Sequence, residues 1–194
     1  MIRVGGVVSY PSIVLASGSP RRRELLESAG VAFTVVSADI DESPLPEETP
    51  AEMVVRLAIA KAQAVVGRAP SGAAILAADT TVDIDGATLG KPESAEDAQR
   101  MLGLLSNRWH LVHSGVCLLG PGPLASFRVT TEVRFTDLRV HDIERYIVTG
   151  EPVDRAGAYA MQGGAAGFVA EIRGSVTNVI GLPLAETLAA LRDI

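Results

Sequence analysis

Apolar runs rich in β-branched residues alternate along this chain with segments of helical periodicity, and that alternation is typical of α/β proteins. The first run, residues 13–17, predicts a strand. Ser19 and Pro20 then place a capping hydroxyl and a proline where a helix begins, and Gly30 is the expected end of that helix. A strand that leads directly into a capped helix is therefore the first unit of the fold.

The later elements are predicted from the same two signals. Thr49, Pro50 and Glu52 form a capping box, so a helix of about 16 residues should begin there. Ser94 caps another helix. The core face of that helix is Ala98, Met101, Leu102 and Leu105. The other expected elements are strands at residues 33–37, 73–86, 109–119, 124–136 and 167–173, a helix at residues 140–149, and a final helix that carries Leu184, Leu188 and Leu191.

Composition limits the classes of partner. The 194 residues are 47% hydrophobic, which favours one domain at residues 13–194 preceded by an N-terminal extension at residues 1–12. The net charge of -6 argues against nucleic acid and anionic membranes as partners, and leaves small anionic ligands open. No apolar stretch approaches a membrane span, so we expect a cytoplasmic protein. Cys117 lies in an apolar run and is expected in the core.

Lys61 stands out among the apolar residues of the second predicted helix. The apolar stripe of that helix is Val54, Leu57, Ala64 and Val65. Lys61 falls on the stripe, where an unpaired ammonium group is costly, so it needs a partner or a cleft. The alternative is a lysine at the edge of the stripe whose ammonium group reaches solvent.

Asp79 comes directly after the apolar run of the strand at residues 73–86. A carboxylate at the end of a buried strand is held in place while the neighbouring cleft stays wet, which suits a catalytic residue or a metal ligand. Asp83 and Asp85 follow near an Asp-Gly turn and are expected to be solvated.

Three consecutive arginines, residues 21–23, begin the first helix. Cations oppose the helix dipole there unless an anion bridges them, so the arrangement favours binding of a phosphate chain. The expected phosphate-binding residues are Ser17, Ser19, Arg21, Arg22, Lys61 and Lys91. The alternative is a solvated helix face on which Arg22 and Arg23 pair with glutamates such as Glu24 and Glu27.

Other phosphate and metal motifs do not fit the sequence. The stretch GATLGKP lacks the spacing of a P-loop, and GGAAG lacks the spacing of a dinucleotide-binding loop. The histidines have none of the neighbours that form zinc sites.

Several ordered blocks carry a resemblance to a known family: LASGSPRRRELLESAGV, DIDES, ADTTV, LGKP, GEPVDRAGAYAMQG and NVIGLPL. Together they resemble the Maf family of nucleoside triphosphate pyrophosphatases over about residues 13–192. The resemblance implies an α/β fold like that of the inosine triphosphatases, with a mixed twisted sheet, flanking helices and two lobes around a cleft. It also implies hydrolysis of a nucleoside triphosphate to the monophosphate and pyrophosphate with a divalent cation, and leaves a homodimer open.

The resemblance also assigns roles to residues of this chain. It makes Asp79 the general base and makes Arg21, Thr80 and Gln162 specificity determinants. The remaining binding positions are Ser17, Arg22, Glu42, Lys61 and Lys91. Thr80 and the Met-Gln-Gly stretch are similar to the branch that hydrolyses dTTP and UTP. Mg²⁺ or Mn²⁺ would be held by Glu42 or Asp79, and spacing alone does not separate the metal ligand from the base.

Two alternative functions remain open on the sequence. One is a non-catalytic nucleotide-binding or interaction protein related to septum formation, which would retain the cationic set and could lose Asp79. The other is a triphosphatase that cleaves the γ-phosphate and releases orthophosphate. A product assay separates the three functions: a pyrophosphatase releases pyrophosphate, a γ-phosphate triphosphatase releases orthophosphate, and a non-catalytic protein releases neither.

Overall fold

The computed structural model describes residues 12–120, 122 and 124–194, together with the backbone of two short strands before them. The strands are β1 (Arg3–Val4), β2 (Val7–Val8), β3 (Ile13–Leu15), β4 (Phe33–Val35), β5 (Ala74–Ile84), β6 (Ala87–Leu89), β7 (Trp109–Leu119), β8 (Ala125–Phe135) and β9 (Val169–Arg173). The helices are α1 (Pro20–Ser28), α2 (Pro50–Ala64), α3 (Ala95–Leu105), α4 (Val140–Val148), α5 (Val176–Ile180) and α6 (Leu184–Leu191). Within the predicted extension β1 pairs antiparallel with β2, and the other positions before Ser12 lie outside the described residues.

One mixed sheet organises the described chain, with the strand order β4-β3-β5-β7-β8-β9 and with β6 paired to β5. Strand β3 runs parallel to β4 and β5, whereas β5, β7, β8 and β9 pair antiparallel. The predicted mixed α/β fold with flanking helices is confirmed. The sequence placed most elements within one or two residues of their ends, which is the usual error at element boundaries.

The long strands β5 and β7 run through two hydrophobic clusters. Near one end, Leu76 and Val116 pack with residues of β3 and α1. Near the other end, Val82 and Val112 pack with residues of α3 and α4. Both lobes of the protein are therefore built on the same two strands, and the cleft lies between the clusters. Cys117 is fully buried against α2, as predicted.

Helix α2 begins with the predicted capping box, since the Thr49 hydroxyl accepts a hydrogen bond from the Glu52 amide and the Glu52 side chain accepts from the Thr49 amide. The helix packs directly on the backbone of β7. A β-carbon added to Gly115 would lie 2.2 Å from the carbonyl oxygen of Val54, so only glycine allows this approach. Gly115 pairs in register with Asp79, which places α2 over that carboxylate.

Two sequence predictions in this region are wrong. Ala64 is exposed, because the buried face of α2 is centred on Val54, Lys61 and Val65 and Ala64 lies at its margin. Asp83 is buried rather than solvated, because it lies within β5 and contacts His113 of the neighbouring strand β7.

The Asp83 carboxylate accepts a hydrogen bond from the Gly86 amide at 2.8 Å and lies 3.2 Å from Nε2 of His113. Asp85 is the exposed turn residue, as predicted, and its carboxylate contacts Arg108. In the described part of the chain, no helix combines the length and the apolar content that crossing a membrane requires.

Candidate active site

A cleft of about 1100 Å³ separates the two lobes. Every residue that the sequence placed in the site lines this cleft: Ser17, Ser19, Arg21, Arg22, Glu42, Lys61, Asp79, Thr80, Lys91 and Gln162. They come from the β3–α1 junction, the loop before α2, helix α2, strand β5 and two later loops, so the fold brings together positions that are far apart in sequence. Their chemical roles stay predictions.

The ammonium group of Lys61 lies between two carboxylates. It is 2.6 Å from Oδ1 of Asp79 and 2.8 Å from Oε1 of Glu42. Lys61 and Asp79 are each 8% exposed, whereas the Glu42 side chain is 57% exposed. The buried lysine that the sequence singled out therefore has partners and faces the cleft, so it does not merely reach past the edge of the helix to solvent.

The same two carboxylates are the candidate ligands for a divalent cation. Asp79 and Glu42 converge on the Lys61 ammonium, and two carboxylates are a usual protein contribution to Mg²⁺ or Mn²⁺, whose other ligands are water and phosphate oxygens. Among the described residues no group of three or more His, Cys, Asp or Glu forms a complete metal cage. The donor set fits a divalent ion that is bound together with a phosphate chain.

Arg22 is buried at the centre of the site. Its Nη1 donates to the Ser17 hydroxyl at 3.0 Å, its Nε to the Gly181 carbonyl at 2.8 Å and its Nη2 to the Thr80 hydroxyl at 3.2 Å. The alternative in which Arg22 pairs with Glu24 or another glutamate of α1 is therefore wrong. Burial lowers the pKa of Arg22, and the charges of the nearby carboxylates oppose that effect.

The Ser17 hydroxyl is oriented by these contacts. Its oxygen accepts from Nη1 of Arg22 and from the amide of Ser19 at 3.2 Å, which uses both lone pairs and leaves the hydroxyl hydrogen free to donate. Ser19 is the N-cap residue of α1, but its side chain makes no capping hydrogen bond, so that expectation is wrong. The amides of the first helical turn are consequently not capped by a side chain and can face an anion.

The mouth of the cleft carries two contacts of Asp154, one within its own lobe and one that reaches helix α1 of the other lobe. Lys91 Nζ lies 3.0 Å from the Asp154 carboxylate, and Nη2 of Arg21 lies 3.5 Å from the Asp154 carbonyl. Nη1 of Arg21 is buried and has no hydrogen-bond partner among the described residues. Arg23, the third arginine of the run, is exposed and does not line the cleft.

Arg155 is a cleft residue that the sequence analysis did not identify. Its Nε is buried and lacks a hydrogen-bond partner in the part of the chain that the structure describes. Burial lowers its pKa, with no compensating carboxylate. It lies within the block GEPVDRAGAYAMQG, so the signal for it was the position of a cation in a block already associated with the site.

Both lysines of the chain lie at this cleft. Lys61 and Lys91 are the two lysines of the whole sequence, and both line it. The remaining basic residues of the chain are arginines.

Two predicted specificity residues differ in their surroundings. Thr80 is half-buried, and its hydroxyl contacts Nη2 of Arg22, the Ser114 hydroxyl at 2.7 Å and the Gly181 carbonyl at 3.2 Å. Gln162 is exposed in the turn between Ala160 and Gly163, where its amide can reach a ligand.

Comparison with known proteins identifies the family. The family described as Maf-like protein matches residues 12–194. This chain belongs to the Maf-like family. A relative from Anaeromyxobacter dehalogenans (strain 2CP-C), named dTTP/UTP pyrophosphatase, is 52% identical over 94% of this chain and 93% of its own length.

A second relative of the Maf-like chain comes from Geobacter sp. (strain M21) and bears the same name. It is 53% identical over 94% of this chain and 95% of its own length. Among solved structures, the Staphylococcus aureus Ham1 protein superposes with a TM-score of 0.45 at 18% identity, over 65% of this chain and 72% of that protein.

Proposed function

We propose that this protein hydrolyses nucleoside triphosphates, with dTTP and UTP as preferred substrates, to the monophosphate and pyrophosphate. The observation that carries the proposal is the Lys61 ammonium held between the carboxylates of Asp79 and Glu42, inside a cleft that is also lined by Arg21, Arg22 and Lys91. The activity named for relatives at 52% and 53% identity supports it.

Asp79 is the proposed general base. A carboxylate accepts a proton from water as the water attacks the α-phosphorus, and the strand β5 fixes the position of the carboxylate. Lys61 holds one oxygen of Asp79, which orients the other toward the cleft, and its ammonium stabilises charge on the phosphate chain as that charge develops.

The leaving pyrophosphate needs donors and positive charge. The uncapped first turn of α1, the Ser17 hydroxyl, Arg21 and Lys91 supply them from one side and the mouth of the cleft. Arg155 adds a guanidinium whose Nε has no other hydrogen-bond partner among the described residues. The Ser19 amide donates to the Ser17 hydroxyl and so helps to orient it. Arg22 acts through Ser17 and Thr80, whose hydroxyls it holds in place.

A divalent cation is part of the proposal. Glu42 and Asp79 would hold it, and it would neutralise phosphate oxygens in a protein whose net charge is -6. Removal of divalent ions with a chelator should abolish hydrolysis, and Mg²⁺ or Mn²⁺ should restore it.

Gln162 is the proposed reader of the base. Its amide has both a donor and an acceptor, which match the O4 and N3–H edge of uracil or thymine. Cytosine has a donor, its N4 amino group, and an acceptor, N3, at the positions where uracil has an acceptor and a donor. Thr80 and Arg21 line the same cleft and limit the positions that the base can occupy.

The test is a product assay with dTTP, UTP, CTP and GTP in the presence of Mg²⁺ or Mn²⁺. We expect pyrophosphate and monophosphate in equal amounts, and faster turnover of dTTP and UTP. Orthophosphate with a nucleoside diphosphate would show cleavage at the γ-phosphate instead. Nucleotide binding with no hydrolysis of any substrate would favour the non-catalytic alternative.

A further inference from the structure

The turn that carries Gln162 is held by hydrogen bonds on both sides. The Gly163 amide donates to the Ala160 carbonyl at 3.0 Å, which closes a turn with Gln162 at its third position. The Ala160 amide donates to the Tyr146 hydroxyl at 2.9 Å. On the other side, the Gly164 amide donates to Oε2 of Glu151 at 2.8 Å.

The two side chains that hold the turn lie close to each other. Burial raises the pKa of Tyr146 and the nearby Glu151 carboxylate raises it further, so the hydroxyl that accepts from the Ala160 amide stays protonated. Tyr146 is 5% exposed in α4, and Glu151 lies in the short helical turn that follows this helix. The backbone of both residues is therefore held by helical structure.

The Glu151 carboxylate also lies against the α-carbon of Gly163. A β-carbon added to Gly163 would lie less than 2 Å from Oε1 of Glu151, so the carboxylate can take this position only beside glycine. The ring of Tyr146 would lie 3.2 Å from a β-carbon added to Gly164. The position of the Glu151 carboxylate therefore requires glycine at 163, and the ring of Tyr146 lies close to Gly164.

We propose that Tyr146 and Glu151 are positioning residues that fix the turn at residues 160–164 so that the Gln162 amide meets the base in one orientation. This inference rests on the proposed function of Gln162. An exposed glutamine on an unrestrained turn can shift or rotate its amide, and it then satisfies cytosine as well as uracil. Neither Tyr146 nor Glu151 lines the cleft, so they act through the backbone and not on the substrate.

The experiment compares binding of dUMP and dCMP, which differ only at the base edge that Gln162 is proposed to read. Neither monophosphate has an anhydride bond, so the measurement does not depend on hydrolysis. In wild type we expect tighter binding of dUMP. In Glu151→Ala and in Tyr146→Phe the ratio of the two affinities should fall by about five-fold or more, the scale of one or two lost hydrogen bonds.

Three comparisons make the result specific to positioning. Glu151→Gln keeps an acceptor oxygen and should retain most of the preference. Affinity for inorganic pyrophosphate should stay within about two-fold in all variants, because the phosphate contacts lie elsewhere. Glu144→Ala, which removes an exposed carboxylate of α4, should match wild type.

A double-mutant cycle and amide exchange complete the test. Adding Glu151→Ala to Gln162→Ala should not change the base preference further, since the effect passes through Gln162. Hydrogen exchange of residues 160–164 should accelerate in Glu151→Ala. An unchanged dUMP to dCMP ratio in the single variants overturns the inference, whether or not hydrolysis is confirmed. If wild type lacks hydrolysis but Glu151→Ala still abolishes the binding preference, this inference stands and the proposed hydrolysis falls.

Discussion

Lys61 and Asp79 form an ion pair in which both residues are 8% exposed, and both line the cleft. Two charges that are shielded from water interact strongly. A substitution of Asp79 or of Lys61 should therefore change both the rate of hydrolysis and the stability of the fold.

Asp79→Asn should lower kcat by about a hundredfold to ten-thousandfold, because an amide of the same size cannot take a proton from water. The fold should persist, since Lys61 keeps Glu42 as a partner. Pyrophosphate release and thermal unfolding measure the two effects. Activity within a few-fold of wild type would exclude Asp79 as the general base.

Lys61→Ala should lower kcat/KM by a factor that corresponds to about 2 kcal/mol or more of activation free energy, because a charge-assisted contact to the phosphate chain is lost. It should also lower the free energy of unfolding by about 2 kcal/mol, because Asp79 stays buried without its partner. Urea unfolding measures the second effect. The loss of stability should shrink when Lys61→Ala is made in the Asp79→Asn protein, and equal losses in both backgrounds would contradict the coupling.

Gln162→Ala should narrow the preference for dTTP and UTP over CTP by about 1 to 3 kcal/mol, the scale of a mismatched polar group. The values of kcat/KM for the three nucleotides, measured on both proteins, give the preference. Equal use of CTP by wild type, or an unchanged ranking in the variant, would refute the role of Gln162.

Arg155→Ala should lower kcat/KM for dTTP about ten-fold through loss of a charged contact to phosphate. Stability should not fall, because the Nε that is removed is buried without a hydrogen-bond partner in the described part of the chain. Arg23→Ala is the matched control, since Arg23 is exposed and lies outside the cleft. If both variants kept wild-type kinetics, Arg155 would have no part in binding.

His110 should make stability depend on pH. Burial lowers its pKa from 6.5 to about 4 in the folded protein. Between these values the unfolded chain binds a proton that the folded chain does not, so stability is complete above pH 6.5 and decreases as the pH falls toward 4. From pH 7 to pH 5 the loss due to this group should be about 2 kcal/mol.

His110→Gln should flatten the pH dependence of unfolding between pH 7 and pH 5, as followed by urea denaturation. His141→Gln removes an exposed histidine and should leave the wild-type slope. The same slope in wild type and His110→Gln would show that His110 does not cause the loss.

Local signals in the sequence predicted much of the fold. The capping box at Thr49 and Glu52 and the cap at Ser94 work through contacts three residues apart, so the sequence contains all of their partners. The burial of Asp83 depends instead on His113 of a neighbouring strand, thirty positions away, and no local pattern indicates that contact. Local patterns predicted Asp79 and the phosphate-binding residues, and the resemblance added Glu42, Thr80 and Gln162. Only the fold shows that all of them share one cleft.

The other contacts that the sequence did not predict also join residues that are far apart along the chain. Arg22 bonds to Gly181, 159 positions away, and its helical neighbours Glu24 and Glu27 were therefore the wrong partners to expect. Arg155 has no distinctive local pattern, because the lack of a hydrogen-bond partner for its Nε among the described residues depends on what surrounds it in space.

The two lobes share β5 and β7, each 11 residues long, and this limits how the protein can move. Proteins whose domains are joined by a flexible linker open by rotation at a few residues, but a continuous pair of hydrogen-bonded strands can only bend or twist along its length. Exchange of substrate and product should therefore require displacement of the loops at the rim, where Asp154 approaches Arg21, while the position of Asp79 within the sheet stays constant.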